Sequence, residues 1–326
     1  MRRRSLLVGA GALAILVISV ALILVLHRSP TTTATGNSTT ASGAAVKLTT
    51  LSAPQSITRY GLASISCPSA SFCAAVDDGG NAYTFNGTSW SNAQSLTTNS
   101  LALISCASSS FCAAVDDGGN AYTFNGTSWS GPQPIAPGGL LDSISCPSAI
   151  FCITADVVGN YYTFNGTSWS TPQSIGPTNH LSSISCASAS FCAAVDTGGN
   201  AYTFNGTLWS APQPFATTAT TSLVNSISCP SASFCAMVDN AGFAYTFNGT
   251  SWSNAQFIAA KRPTSISCPS ASFCAAVDLA GNAYTFNGTS WSNAQSLTTN
   301  SLYSISCASS SFCAAAEYAN KIFMLK

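Results

Sequence analysis

Charge is what this sequence has least of. Only 6% of its 326 residues are Asp, Glu, Lys or Arg, about a quarter of the usual globular share. Ten basic residues balance ten acidic ones, so there is no basic surface to hold nucleic acid. Histidine is nearly absent, with only His27 and His180, and Glu317 is the single glutamate. Acid–base chemistry built on histidine and mixed Cys/His metal sites have little to work with. From Ser29 onward six basic residues face all ten acids.

Long apolar runs are missing too, with one exception. Residues 6–26 carry no charge and follow Met1-Arg2-Arg3-Arg4. As a helix this run is roughly 32 Å long, enough to cross a bilayer. A cleaved signal peptide is the rival reading, but its apolar region is usually about 7–15 residues and ends in small-x-small. His27-Arg28-Ser29-Pro30 has no such site. Residues 1–28 are therefore read as a short cytoplasmic tip and a transmembrane anchor. The three arginines place the N-terminus inside and the rest of the chain outside the cell. Residues 29–50 hold 11 Ser or Thr and no apolar period, and are read as a solvated linker.

What is abundant is repetition. Fourteen cysteines fall in seven C-x5-C pairs: Cys67/Cys73, Cys106/Cys112, Cys146/Cys152, Cys186/Cys192, Cys229/Cys235, Cys268/Cys274 and Cys307/Cys313. Their period is about 40 residues, the length of a propeller blade. One unit reads as four short antiparallel strands. Ala63 to Cys67 is strand A, Phe72 to Val76 strand B, and Ala82 to Phe85 strand C. Asn86-Gly87 reads as a two-residue type I′ turn, which needs positive φ at both positions. Strand D starts at Thr88-Ser89-Trp90-Ser91.

The chain ends complete each other. The last unit stops after strand C, at Ile322-Phe323-Met324-Leu325-Lys326. Residues 51–57 match the strand-D stretch 209–215, with Leu51 in the place of Trp209. The expected fold for 51–326 is all-β: a seven-bladed propeller closed by pairing of its N- and C-terminal strands, preceded by one transmembrane helix. An open solenoid is the runner-up, but it would need distinct polar caps.

At Ser66-Cys67-Pro68-Ser69 and Phe72-Cys73-Ala74-Ala75-Val76-Asp77 the chain resembles secreted or membrane-anchored bacterial propellers of actinobacterial type, built from S-C-P-S-x-x-F-C-x-A-V-D repeats. The resemblance spans 51–326. It implies a fold, and brings no activity, cofactor or catalytic residue.

Each cysteine pair brackets one A–B hairpin, whose ends lie about 5 Å apart. Outside the cell such pairs are expected as disulfides rather than free thiols. Zinc favours C-x2-C and four converging ligands. Each repeat also carries one acid after strand B: Asp77, Asp116, Asp156, Asp196, Asp239, Asp278 and Glu317. As a ring these seven are candidate ligand-face residues for a cation or polar ligand. The plainer reading is turn capping by the carboxylate, and the calcium-loop pattern D-x-D-x-D-G is absent.

The six tryptophans (90, 129, 169, 209, 252, 291) and the strand-C tyrosines (83, 122, 162, 202, 245, 284) are either blade-to-blade core or sugar platforms. His180, Asp142, Arg59, Lys261 and Arg262 break the repeat, and are placed in blade-linking segments where partners bind. No acid is distinctive enough for a hydrolase pair. The expectation is a non-enzymatic, extracytoplasmic binding or scaffold module tethered to the membrane. Its partner is a protein or a cell-envelope glycan, and no cofactor or metal is called for. A multivalent lectin is the alternative; a propeller glycoside hydrolase ranks below it.

Overall fold

The computed structural model describes residues 47–176, 180–215 and 223–326. The expected anchor at 6–26 and the linker up to residue 46 lie outside the described residues. Among the described residues there are strands only, and no helix is long and apolar enough to cross a membrane.

Among the described residues, twenty-eight strands make seven four-stranded antiparallel sheets. Blade 1 consists of Leu62–Ser69, Phe72–Asp77, Asn81–Phe85 and Gln94–Ser95, in that spatial order. Blades 2 to 6 repeat this plan from Leu101, Leu141, Leu181, Val224 and Pro263. Blade 7 has Leu302–Ser309, Phe312–Glu317 and Lys321–Leu325, and takes its fourth strand, Gln55–Ser56, from the other end of the chain. Gln55 pairs with Ile322 and Ser56 with Lys321. Thr49 and Lys326 exchange two backbone hydrogen bonds of 2.8 and 2.9 Å. The first strands surround a central channel of 230 Å³ lined from all seven blades. The fold is a closed seven-bladed propeller.

Composition explains the packing. Second strands are buried on both faces by neighbouring blades, so their residues are small: Ala74, Ala75 and Val76 are fully buried. Large third-strand rings fill the space opposite. Tyr122 and Phe124 of blade 2 pack on Ala74 and Val76 of blade 1. Large on small lets facing sheets interlock at crystal-like density. Each aromatic so buried contributes about 1.5–3 kcal/mol.

The first strand has no fifth strand on its inner edge, so its N–H groups need other acceptors. Serines of the S-I-S-C stretch supply them across blades. Ser66 Oγ accepts from Cys106 N–H at 2.9 Å. The same contact recurs from Ser105, Ser145, Ser185, Ser228 and Ser267, and Ser306 returns the belt to Cys67. A second belt joins Ser64, Ser143, Ser183, Ser226, Ser265 and Ser304 to the next blade's isoleucine N–H. It is open only in blade 2, where Leu103 stands in the serine's place.

Two local readings are corrected. Asn86-Gly87 is not a type I′ turn: Gly87 has φ +91°, but Asn86 is not in the positive-φ region. Residues 86–89 form a longer loop between the bridged Phe85 and Trp90. Asn86 Oδ1 accepts from the Thr88 and Ser89 N–H groups, so the side chain does what a backbone turn would have done. Nor does Leu51 take the seventh tryptophan's place. Thr50 bridges Leu325 as Trp90 bridges Phe85, and Leu51 is exposed. One extra residue precedes Gln55 there. Leu48 fills the core instead, fully buried among Phe273, Phe323 and Leu325.

Candidate functional site

All seven cysteine pairs are disulfides. Cys67 is bonded to Cys73, Cys106 to Cys112, Cys146 to Cys152 and Cys186 to Cys192. Cys229 is bonded to Cys235, Cys268 to Cys274 and Cys307 to Cys313. Each bridge joins the first and second strands of one blade, and no cysteine is free among the described residues. The Cα–Cα distances are 3.9–4.1 Å, shorter than the 5 Å or so expected of a hairpin's ends. Cross-strand residues that share no backbone hydrogen bond approach more closely, to about 4.5 Å, and the bridge draws them nearer still. The second-strand partners Cys73, Cys112, Cys152, Cys192, Cys235, Cys274 and Cys313 are fully buried. Each lies in a core cluster between blades. The fourteen cysteines are therefore structural and belong to no ligand face. In the chain-entropy account a loop this short stabilises by about 2–3 kcal/mol.

The seven acids end their second strands and are buried, at 0–2% exposure. Asp77 shows the arrangement. Its Oδ1 accepts from Gly79 N–H at 3.0 Å, Asn81 N–H at 2.9 Å and the Asn81 amide. Its Oδ2 accepts from Tyr83 Oη at 2.7 Å and Thr58 Oγ1 at 2.6 Å. Asp116, Asp156, Asp196, Asp239 and Asp278 take the same turn N–H groups and the hydroxyl of Tyr122, Tyr162, Tyr202, Tyr245 and Tyr284. The six aspartates thus cap turns beneath the surface.

Titration follows from these contacts. Burial works to raise the Asp116 and Asp196 carboxyls. Hydrogen bonds from Asn120 and Asn200, with the tyrosines, outweigh it and hold both below the ordinary carboxylate value. Burial, reinforced by the Asp carboxylate, pushes Tyr83, Tyr122 and Tyr162 up to about 12.

Blade 7 departs from this. Glu317 Oε1 accepts from Thr298 Oγ1 and Asn300 Nδ2, both at 2.7 Å. Glu317 Oε2 is buried with no partner. Phe323 pairs with Ala315 as Tyr83 pairs with Ala75, and brings no hydroxyl.

The surface above the acids is where the copies differ. The second residue of each first strand is Ala63, Ala102, Asp142, Ser182, Asn225, Thr264 or Tyr303. Six of these line the channel mouth. The residue after each acid is Asp78, Asp117, Val157, Thr197, Asn240, Leu279 or Tyr318. The two positions meet: Tyr303 stacks on Tyr318 at 4.8 Å between ring centroids. Asp142 lies in the first strand of blade 3, not in a link as expected. Its Oδ2 is 2.8 Å from Nε2 of His180, on the link into blade 4. Arg262 donates to Asn225 Oδ1 at 2.9 Å. The Arg59 guanidinium lies over the Tyr60 ring, 5.1 Å from its centroid. Tyr60, Leu140, Val158, Tyr303 and Tyr318 are exposed. This variable face is therefore mixed aromatic, apolar and charged, and differs between all blades but 1 and 2, which share Ala and Asp at these two positions. Aligning the seven copies column by column would have found it, because these columns vary more than those on either side.

The opposite end carries the two-residue turns between first and second strands and, in blades 1 to 6, the N-G loops, and is nearly the same in those six blades. The strand-C tyrosines are core, whereas the tryptophans are half-buried. Among the described residues no three His, Cys, Asp or Glu side chains converge on a metal position. No family model and no curated protein matches the chain.

Proposed function

We propose that this propeller is a non-enzymatic binding module, held outside the cell by its N-terminal anchor, that takes a protein or cell-envelope glycan on its variable face. The observation that carries the reading is the contrast between copies. Residues that build the blade are nearly identical, and residues around the channel mouth differ at almost every blade. Exposed aromatics, with Arg59 and Arg262 on the same face, are the side chains that anchor protein interfaces. The non-enzymatic part rests on the buried ring: both oxygens of its six aspartates are engaged in turns and tyrosine contacts, so the ring itself offers no free carboxylate pair. Seven disulfides support an oxidising compartment.

The test is capture from intact cells by the full chain after mild crosslinking. Tyr303→Ala, Tyr318→Ala and Arg262→Ala combined should lower recovery of the partner at least tenfold. Ser168→Ala, in an N-G loop at the other end, should leave it unchanged. Equal capture by the two variants would remove the proposal. Protease added to whole cells tests the compartment, and a domain left intact there but cut after lysis would place it in the cytosol.

A further inference from the structure

Two grooves between blades share one lining and lie open away from the variable face. One, of 740 Å³ between blades 1 and 2, is lined by Phe72, Asn86, Asn92, Gln94, Thr127 and Trp129 among others. Its counterpart, of 530 Å³ between blades 5 and 6, has Phe234, Asn248, Asn254, Gln256, Thr289 and Trp291 in the same places. No charged side chain lines either.

A short sequence difference accounts for which grooves open. The fourth-strand approach reads Asn92-Ala93 in blade 1 and Asn254-Ala255 in blade 5. In blades 7, 2, 3 and 4 it ends in Pro54, Pro132, Pro172 and Pro212. The tryptophans of the blades that follow those prolines are Trp90, Trp169, Trp209 and Trp252, and their indole N–H groups are buried without a partner. Trp129 and Trp291 follow Asn-Ala, are not so enclosed, and line the open grooves.

Blade 6 also carries Asn-Ala, at Asn293-Ala294, and shows its groove filled by the chain itself. Leu48 lies two residues before Thr50, as Thr127 lies two before Trp129. Its side chain is fully buried there, and its carbonyl accepts from Gln295 Nε2. The groove thus takes an apolar group beside a carbonyl that its glutamine reads. Gln94 and Gln256 hold the equivalent place in the two open grooves.

We infer that these two grooves are equivalent sites for an N-acylated amino sugar. The acetamido group supplies the methyl and the carbonyl. The ring hydroxyls match the Asn and Thr side chains, and the apolar face of the sugar lies on the indole. A charged ligand finds no counter-charge. A peptide finds no edge to pair with, because each fourth strand is two residues long. The inference is independent of the variable face.

The test titrates the full chain, kept in a polyoxyethylene detergent that carries no sugar, with N,N′-diacetylchitobiose by calorimetry and tryptophan fluorescence. Two equivalent sites are expected, with cellobiose at least tenfold weaker. Asn92→Gly with Ala93→Pro copies blade 2 and should remove one site. Asn254→Ala with Ala255→Pro copies blade 4 and should remove the other. Gly131→Asn with Pro132→Ala should open a third, at Trp169. Indole N–H exchange checks the pockets without ligand: two tryptophans should exchange fast and four slowly. No binding of the disaccharide, or a stoichiometry unmoved by the proline variants, would overturn the inference. So would equal affinity for cellobiose, or tighter binding of N-acetyl-leucine amide.

Discussion

Blade 7 and the six continuous blades solve one structural problem with different residues. In blades 1 to 6 an aspartate caps the turn and a tyrosine hydroxyl closes onto it. In blade 7 the acid is Glu317, the ring is Phe323, and Asn320 takes the positive φ (+84°) that glycine has in the other turns. Thr50 stands at the tryptophan's register position, and Leu48, two residues earlier, is buried in the core. Architecture tolerates these exchanges because pairing and burial are kept. Polar satisfaction is not kept in full, since Glu317 Oε2 has no partner. Blade 7, made from both chain ends, is the seam of the ring.

The largest effect should come from that seam. Leu48→Ala leaves a cavity among Phe273, Phe323 and Leu325 and should cost about 2–5 kcal/mol. Thr127→Ala, at the matching place in blade 2 and exposed, should stay within about 0.5 kcal/mol. Denaturant unfolding of the full chain compares them. Equal costs would mean that the seam is no special point of weakness.

Alkaline pH should load the continuous blades and spare blade 7. Tyr83, Tyr122 and Tyr162 titrate near 12 in the fold, against about 10 when exposed. Their contribution to stability is complete below pH 10 and is lost as pH climbs toward 12, because the unfolded chain gives up those protons first. Asp116 and Asp196 are held low, so their contribution is present above the ordinary carboxylate range and fades as pH drops through it. The melting temperature should be flat from about pH 5 to 9 and fall on both sides. Tyr122→Phe should flatten the alkaline limb. A melting temperature that does not change up to pH 12 would contradict the Asp–Tyr account.

The smallest effect is a gain. Phe323→Tyr places a hydroxyl where the other blades have one, toward the orphaned Glu317 oxygen, and should stabilise by about 1 kcal/mol. Thermal unfolding reads it, and a destabilised variant would show that the longer glutamate has moved its oxygen out of reach.

Much of this was legible before any coordinates. The C-x5-C pairs, the 40-residue period and the split last unit led to seven blades and ring closure, and the disulfides follow the same spacing. Turn details were not legible. Asn86-Gly87 looked like a backbone turn because local propensity does not show that the Asn side chain will accept two N–H groups instead. Leu51 aligned with tryptophan by sequence offset, yet the chain slips by one residue so that Leu48 can be buried. The acids were offered as a rim and lie below it, because their tyrosine partners come from another strand of the sheet.

The sequence by itself determined the number of blades, their cross-links and where the ring is sewn shut. Those features are written in periodicity and in complementary ends, which need no coordinates to read. Only the tertiary structure decided which surfaces are free: that serines of one blade cap the next, that proline shuts some grooves and Asn-Ala leaves others open, and that the copies diverge around one mouth. Contacts between blades join residues about 40 positions apart, and no local pattern along the chain records what such neighbours do to each other.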